Sequence, residues 1–236
     1  MNSHLSLSGK EIPLENHLDN ASEFSGDIII DYLINHSITS PDKSAFIFLE
    51  DGEDLEKCIS FSELNLRVEH LAFQFLDQQL EGKRALLVYK DTLEFTISFL
   101  ACQYAGVIAV PVFFAKGNKQ ISRLINLMED AQVSVILSTS NLKDQVKQAL
   151  SVYTESKGIE IIATETICLS ERNVQKDKSS VQNDNKIAFI QYTSGSTGKP
   201  KGVVISGKNL IHNQQFIQLQ FSLVGEIGNI GLKKYS

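Results

Sequence analysis

Between Gly82 and Ala163 the chain alternates short, mainly apolar runs with longer stretches whose apolar residues recur every three or four positions. The runs are Arg84-Ala-Leu-Leu-Val-Tyr89, Val107 to Val110, Val133 to Leu137 and Ile159 to Ala163. A strand that is apolar on both faces must be covered on both, which is the condition of a parallel sheet sandwiched by helices. The intervening stretches supply those helices, with stripes at Leu93, Ile97, Leu100, Ala101 and Tyr104, then at Ile121, Leu124, Ile125 and Met128, then over a segment reaching about Tyr153. Strands separated by helices pair in parallel through right-handed crossovers. The pattern predicts an α/β fold, a doubly wound and mostly parallel sheet with flanking helices.

Punctuation agrees with that rhythm. Asp91-Thr92-Leu93-Glu94 has the form of a capping box, Gly106 stops the helix it opens, and Ser138 to Asn141 offer capping hydroxyls to the last helix. Pro111 is expected at the end of its strand, because it has no N–H for an interior ladder. Upstream, Asp27 to about Asn35 reads as a helix ended by Ser40-Pro41-Asp42. Ser44 to Leu49 and Leu55 to Phe61 read as a hairpin over the turn Asp51 to Asp54, at the margin of the sheet. A helix follows, capped by Ser62, closed by Glu81-Gly82, buried through Leu64, Val68, Leu71, Ala72, Phe75 and Leu76, with Glu63, Arg67 and Glu69 in solvent. The organisation expected is a loosely ordered arm over 1–26, an α/β subdomain over 27–169, a polar connector over 170–186, a strand-loop-strand-helix unit over 187–220 and a tail over 221–236.

Composition narrows the function classes. A chain of 236 residues with 42% hydrophobic and 21% charged residues is an ordinary globular one. Its net charge of -6 gives no general attraction for nucleic acid or anionic membranes, and no apolar run reaches spanning length. Cys58, Cys102 and Cys168 are widely spaced and odd in number, so neither a disulfide framework nor a zinc site is expected, and a reducing cytoplasm fits best. The five histidines show no triad or metal spacing, Gly-x-Ser-x-Gly is absent, and Cys102 reads as a core residue.

The chemistry is concentrated in Tyr192-Thr-Ser-Gly-Ser-Thr-Gly-Lys-Pro-Lys-Gly202, clamped between the apolar runs Ile187 to Ile190 and Val203 to Ile205. Its glycines let the backbone approach a ligand closely, and Thr193, Ser194, Ser196 and Thr197 add hydroxyl donors. Lys199 and Lys201 add positive charge and no carboxylate intervenes, a set suited to a polyphosphate. It is not the P-loop: Thr193 stands where that motif needs its first glycine, and Pro200 replaces the hydroxyl after the lysine. After Ile205, Ser206 reads as the N-cap of a helix from Asn209 to about Gln218, with Leu210, Ile211 and Phe216 inward.

This stretch resembles the phosphate-loop signature of the adenylate-forming enzymes. Arg84 to Tyr89, Phe99-Leu-Ala-Cys-Gln-Tyr-Ala-Gly-Val-Ile-Ala-Val-Pro111, Leu127-Met-Glu-Asp-Ala131 and Gln191-Tyr192 look like fatty acyl-AMP ligases in particular, and Ile59 to Leu64 resembles the superfamily's first core motif. The likeness covers about residues 28 to 218, with a departure at Phe113-Phe114-Ala115-Lys116, where those ligases usually place Tyr-Pro-Pro.

The resemblance implies ATP- and Mg2+-dependent conversion of a fatty acid to an acyl-adenylate, with transfer of the acyl group to an acyl carrier protein. It implies that Thr193, Ser194, Gly195, Ser196, Thr197 and Gly198 hold the β- and γ-phosphates, that Lys201 neutralises the leaving pyrophosphate, and that Lys199 is the more dispensable cation. The superfamily's later motifs should follow the loop, and the tail from Phe221 does not look like them, so the chain is expected to be the N-terminal part of a larger enzyme, inactive alone. The alternatives are a long-chain acyl-CoA synthetase fragment and a non-catalytic remnant or binding module.

Overall fold

The computed structural model describes residues 5–7, 10–12, 29–50, 55–114, 118–166, 187–193 and 201–223. The turn Asp51 to Asp54, the connector 170–186, most of the N-terminal arm and the tail beyond Leu223 lie outside the described residues. So do Ala115 and Lys116.

Within the arm, β1 (Leu5–Leu7) pairs antiparallel with β2 (Lys10–Ile12). Helix α1 (Ile29–Thr39) leads to β3 (Ser44–Glu50) and β4 (Leu55–Ser60), an antiparallel pair that forms a sheet of its own rather than the margin of the large one. Ser60 caps the next helix, α2 (Phe61–Asp77), accepting from the Glu63 N–H at 3.2 Å, so the cap falls two residues before the expected Ser62. The competition is local: the two hydroxyls lie 3.1 Å apart and either is a chemically competent cap. Leu64, Val68, Leu71, Ala72 and Phe75 are buried as the stripe requires. Arg67, expected in solvent, instead donates to Glu94 at 2.6 Å.

Among the described residues the large sheet has six strands. After α2 come β5 (Arg84–Val88), α3 (Thr92–Ala105), β6 (Ile108–Val112), α4 (Asn118–Asp130), β7 (Val135–Ser138), α5 (Ser140–Lys157) and β8 (Glu160–Ala163). Then β9 (Ile187–Thr193), β10 (Lys201–Ser206) and α6 (Gly207–Leu223) complete the described chain. The order across the sheet is β10-β9-β6-β5-β7-β8, parallel throughout except that β10 runs antiparallel to β9.

Period-two geometry explains why the strands are apolar without alternation. Ala85, Leu87 and Tyr89 join one core cluster with residues of α1, α2 and α3, whereas Leu86 and Val88 join a second with residues of α4 and α5. Every residue from Ala85 to Val88 is completely buried. Helix α3 is also buried nearly all round, with Ser98, Cys102 and Ala105 sharing the interior with the expected stripe. Asp91 caps it by accepting from the Leu93 and Glu94 N–H groups, and Gly106 ends it at φ 67°, the left-handed conformation glycine adopts without penalty.

Two expectations are corrected. Pro111 lies inside β6, opposite Leu87, not at its end. The β6–β9 register is the single pair Ala109↔Phe189, which leaves Pro111 without a ladder partner on that side. At the start of α5, Thr139 occupies the cap position but makes no side-chain capping bond. Glu165 does that work from the turn after β8, accepting from both the N–H and the hydroxyl of Ser140.

Candidate functional site

The site is assembled on β9 and β10. Ala188 and Ile190 of β9 are buried, the Gln103 side chain donates to the Ala188 carbonyl at 3.0 Å, and the Phe99 ring meets Phe189 edge-on at 5.5 Å. Those contacts fix β9 beside β6, so its carboxyl end lies on the same side of the sheet as those of β5, β6, β7 and β8. In open α/β sheets that is the side on which ligands bind.

Thr193 ends β9, Lys201 begins β10, and the two are cross-strand partners. The chain between them is therefore a hairpin connection whose two ends are held in register. Both terminal residues are exposed, presenting a hydroxyl and an ammonium at the mouth. Ser194, Gly195, Ser196, Thr197, Gly198 and Lys199, the other residues predicted to hold phosphate, lie outside the described residues.

Below the mouth, Tyr192 faces Gly202 across the ladder. A Cβ at Gly202 would stand 3.0 Å from Tyr192 Cζ and 3.1 Å from its hydroxyl, so the last glycine of the motif is needed for the ring to lie across the partner strand. The Tyr192 hydroxyl donates to Asp130 Oδ2 at the end of α4. Burial first, then that hydrogen bond and the carboxylate's charge, push the phenol above its usual range, while Arg84 opposes the shift. Asp130 is a site residue that the sequence reading missed as such. It lies in the Leu127 to Ala131 segment, but nothing local connects it with a tyrosine 62 positions away.

Beside the mouth is a cavity of about 320 Å³. Val112, Leu124 and Phe113 supply its apolar lining, and Arg123, Tyr192 and Thr193 polar atoms. A separate buried group of hydroxyls closes the carboxyl ends of the central strands. Tyr89 donates to Ser98 at 2.8 Å and lies 3.0 Å from the Thr164 hydroxyl, while Ser138 donates to the Val88 carbonyl at 2.9 Å. These groups satisfy one another and are sealed from solvent, so they frame the site without facing a ligand.

At the start of α6, the Ser206 hydroxyl accepts from the Asn209 N–H at 3.2 Å, while Asn209 Oδ1 accepts from the Ser206 N–H at 3.1 Å. This is a reciprocal cap that bears out the Ser206 reading. Leu210 and Ile211 are half-buried, but Phe216, expected inward, is exposed, because nothing among the described residues packs over that face. No group of three or more His, Cys, Asp or Glu among the described residues is arranged to hold a metal, and no described helix is long and apolar enough to cross a membrane.

Residues 35–226 match the family described as AMP-binding enzyme. Among similar proteins, the medium-chain-fatty-acid–[acyl-carrier-protein] ligase JamA of Moorena producens is 35% identical over 202 residues, covering 83% of this chain and 33% of that protein. The long-chain-fatty-acid–AMP ligase FadD23 of Mycobacterium tuberculosis is 29% identical over 199 residues, covering 81% and 33%. Among solved structures, the fatty acyl-adenylate ligase of Legionella pneumophila in complex with acyl adenylate and pyrophosphate superposes with a TM-score of 0.68 at 28% identity, over 84% of this chain and 33% of that one. The chain thus spans about a third of the length of the proteins it matches, and its sheet with flanking helices corresponds to their N-terminal region.

Proposed function

This chain belongs to the family of AMP-binding enzymes, and from that premise we propose that it is the phosphate-gripping part of a fatty acyl-AMP ligase. The reaction is attack of a fatty-acid carboxylate oxygen on the α-phosphorus of ATP. The bond from that phosphorus to the β-bridging oxygen breaks, and pyrophosphate leaves with the electron pair. The acyl-adenylate then gives its acyl group to an acyl carrier protein, the acceptor in the name of JamA, with cleavage of the acyl–phosphate bond and release of AMP.

The observation that carries this reading is the Thr193–Lys201 pair at the carboxyl edge of the sheet, with the motif's hydroxyls, glycines and second lysine strung between its ends. The donor set fits a polyphosphate: hydroxyls, free N–H groups and two ammonium groups, with no carboxylate in the connection to repel it. Thr193, Ser194, Ser196, Thr197 and the N–H groups of Gly195 and Gly198 hold the β- and γ-phosphates. Lys201, fixed by the ladder, offsets charge developing on the departing pyrophosphate, and Lys199, inside the connection, contributes less. Magnesium bound with the nucleotide would supply further neutralisation, and no residue of this chain is assigned to it. The work is done in the cytoplasm.

The test is chromatographic detection of acyl-adenylate from a long-chain fatty acid, ATP and magnesium, with and without coenzyme A. It is run on the chain alone and on the chain joined to the downstream two-thirds of the Legionella ligase. We expect adenylate only from the joined form, and a loss of at least about tenfold on Lys201→Ala, equivalent to about 1.4 kcal/mol of transition-state stabilisation. Unchanged turnover in that variant overturns the assignment, and acyl-CoA as the product redirects it to a synthetase.

A further inference from the structure

We propose that Asp130 is a positioning residue for the phosphate hairpin, acting through the hydroxyl of Tyr192. This deepens the reading above and rests on it for the identity of what the hairpin grips. Tyr192 sits at the base of the loop. It is the residue immediately before Thr193, and its partner Gly202 immediately follows Lys201, so the Tyr192–Gly202 pair lies one step inside the pair that bounds the loop.

The ring fills the space above Gly202 so closely that even one added carbon would stand 3.0 Å from it. Movement of the ring is therefore movement of the β10 backbone beside Lys201. Among the described residues β10 has only β9 as a neighbour in the sheet, so the cross-sheet pairing described restrains this end of the hairpin on one side alone.

Asp130 supplies a restraint from outside the ladder. It is the last residue of α4, and the turn that follows is itself anchored. Arg84 of β5 donates to Gln132 Oε1 at 2.9 Å, and the Ser134 N–H donates to the Arg84 carbonyl at 2.9 Å. Met128 and Ala131, on either side of Asp130, are buried in the core shared by α4 and α5. A carboxylate on so firm a base, accepting from the phenol, ties the mouth of an edge hairpin to the centre of the sheet. Charge-assisted hydrogen bonds of this type are the stronger kind. The bond spans 62 residues of sequence, so it constrains tertiary placement and not merely local conformation.

The test uses the 236-residue chain. Hydrogen exchange is followed by mass spectrometry in peptides covering 187–193 and 201–206, and in β5 and α3 as controls, for Asp130→Ala, Tyr192→Phe, the double variant and Asp130→Asn. Loss of the bond is expected to speed exchange at the hairpin roughly tenfold in either single variant, with no further gain in the double variant. β5 and α3 stay protected, and Asp130→Asn, which still presents an acceptor oxygen, recovers most of the protection. A structural weakening of the whole domain would move the controls too.

Unchanged hairpin exchange in both single variants, uniform acceleration, or additive effects overturn the proposal. Titration with ATP and magnesium separates it from the reading on which it rests. Weaker ATP binding in Asp130→Ala, rescued by Asp130→Asn, is the expected companion result. Absence of ATP binding by the unmodified chain instead overturns the phosphate reading, and the exchange pattern still decides the tether.

Discussion

β5 and β10 are both short apolar strands of one sheet, yet their surroundings are opposite. Ala85, Leu86, Leu87 and Val88 are completely buried, each face covered by its own layer of helices. Val203 and Val204, on successive positions and therefore opposite faces of β10, are 48% and 56% exposed. The difference is one of position: β5 lies between β6 and β7, whereas among the described residues β10 has only β9. An apolar run reports that a segment is made to be covered on both sides, and the fold decides whether the cover is present. The β9–β10 hairpin is thus built half from interior material, β9, and half from edge material, which is why a tether such as Asp130–Tyr192 has something to restrain.

The largest test of this contrast is truncation in the interior. Leu87→Ala removes three carbons from a fully packed site touching helices and neighbouring strands, and is expected to cost about 2–5 kcal/mol in denaturant unfolding. A cost below about 1 kcal/mol would mean that the centre of the sheet is as loosely covered as its edge, and the comparison would collapse.

The sequence exposed the interior far better than the edge, for physical reasons. Runs such as Arg84 to Tyr89 carry their burial in their own composition, so the parallel sheet and the helices on both sides were legible. Local caps were legible where one residue has no rival, as at Asp91 and Gly106. Ser60 displaced Ser62 because two hydroxyls compete within a single turn, and Glu165 displaced the local hydroxyls of α5 because its partner is distant in sequence. The Tyr89–Ser98–Thr164 group and the Asp130–Tyr192 bond are likewise long-range, and each member alone is an unremarkable polar residue. Phe216 was misplaced because its helical spacing tells which way it points relative to Leu210 and Ile211, not whether anything lies there.

Alkaline pH sharpens the contrast next. Burial raises the Cys102 thiol and the Tyr89 phenol well above their usual ranges, and pushes Tyr104 up to about 12, with Glu69 adding to the last. Each is an acid that stays protonated in the folded chain after its unfolded counterpart has lost the proton. The unfolded state then binds fewer protons, so stability falls as pH rises above about 8.5 for the cysteine and about 10 for the tyrosines. The expected slope is about 1.4 kcal/mol per pH unit for each group in that window, and Cys102→Ala should remove the first part of it. Unfolding midpoints independent of pH between about 8.5 and 10 would show that water reaches the thiol and that the interior is not sealed.

The smallest effect on folding is expected at the edge, and there the informative readout is a different one. Val204→Thr exchanges a methyl for a hydroxyl on a side chain that is already half in water, so its unfolding free energy should change by no more than about 0.5 kcal/mol. Threonine keeps the branched shape that suits a strand, which isolates the apolar contribution from the backbone one. What should change is association. A strand edge unpaired among the described residues, with adjacent exposed valines, and the exposed Phe216 and Ile217 on the helix that follows it, are templates for association with another chain. Sedimentation of the unmodified chain is expected to show concentration-dependent self-association that weakens in Val204→Thr and further in Val203→Thr/Val204→Thr. If the substitution costs as much stability as Leu87→Ala and leaves association untouched, then β10 is covered after all and the two strands differ only in name. If association weakens while stability holds, the edge is an interface awaiting a partner surface, and the hairpin's rigidity in isolation rests on β9 and the Asp130 tether.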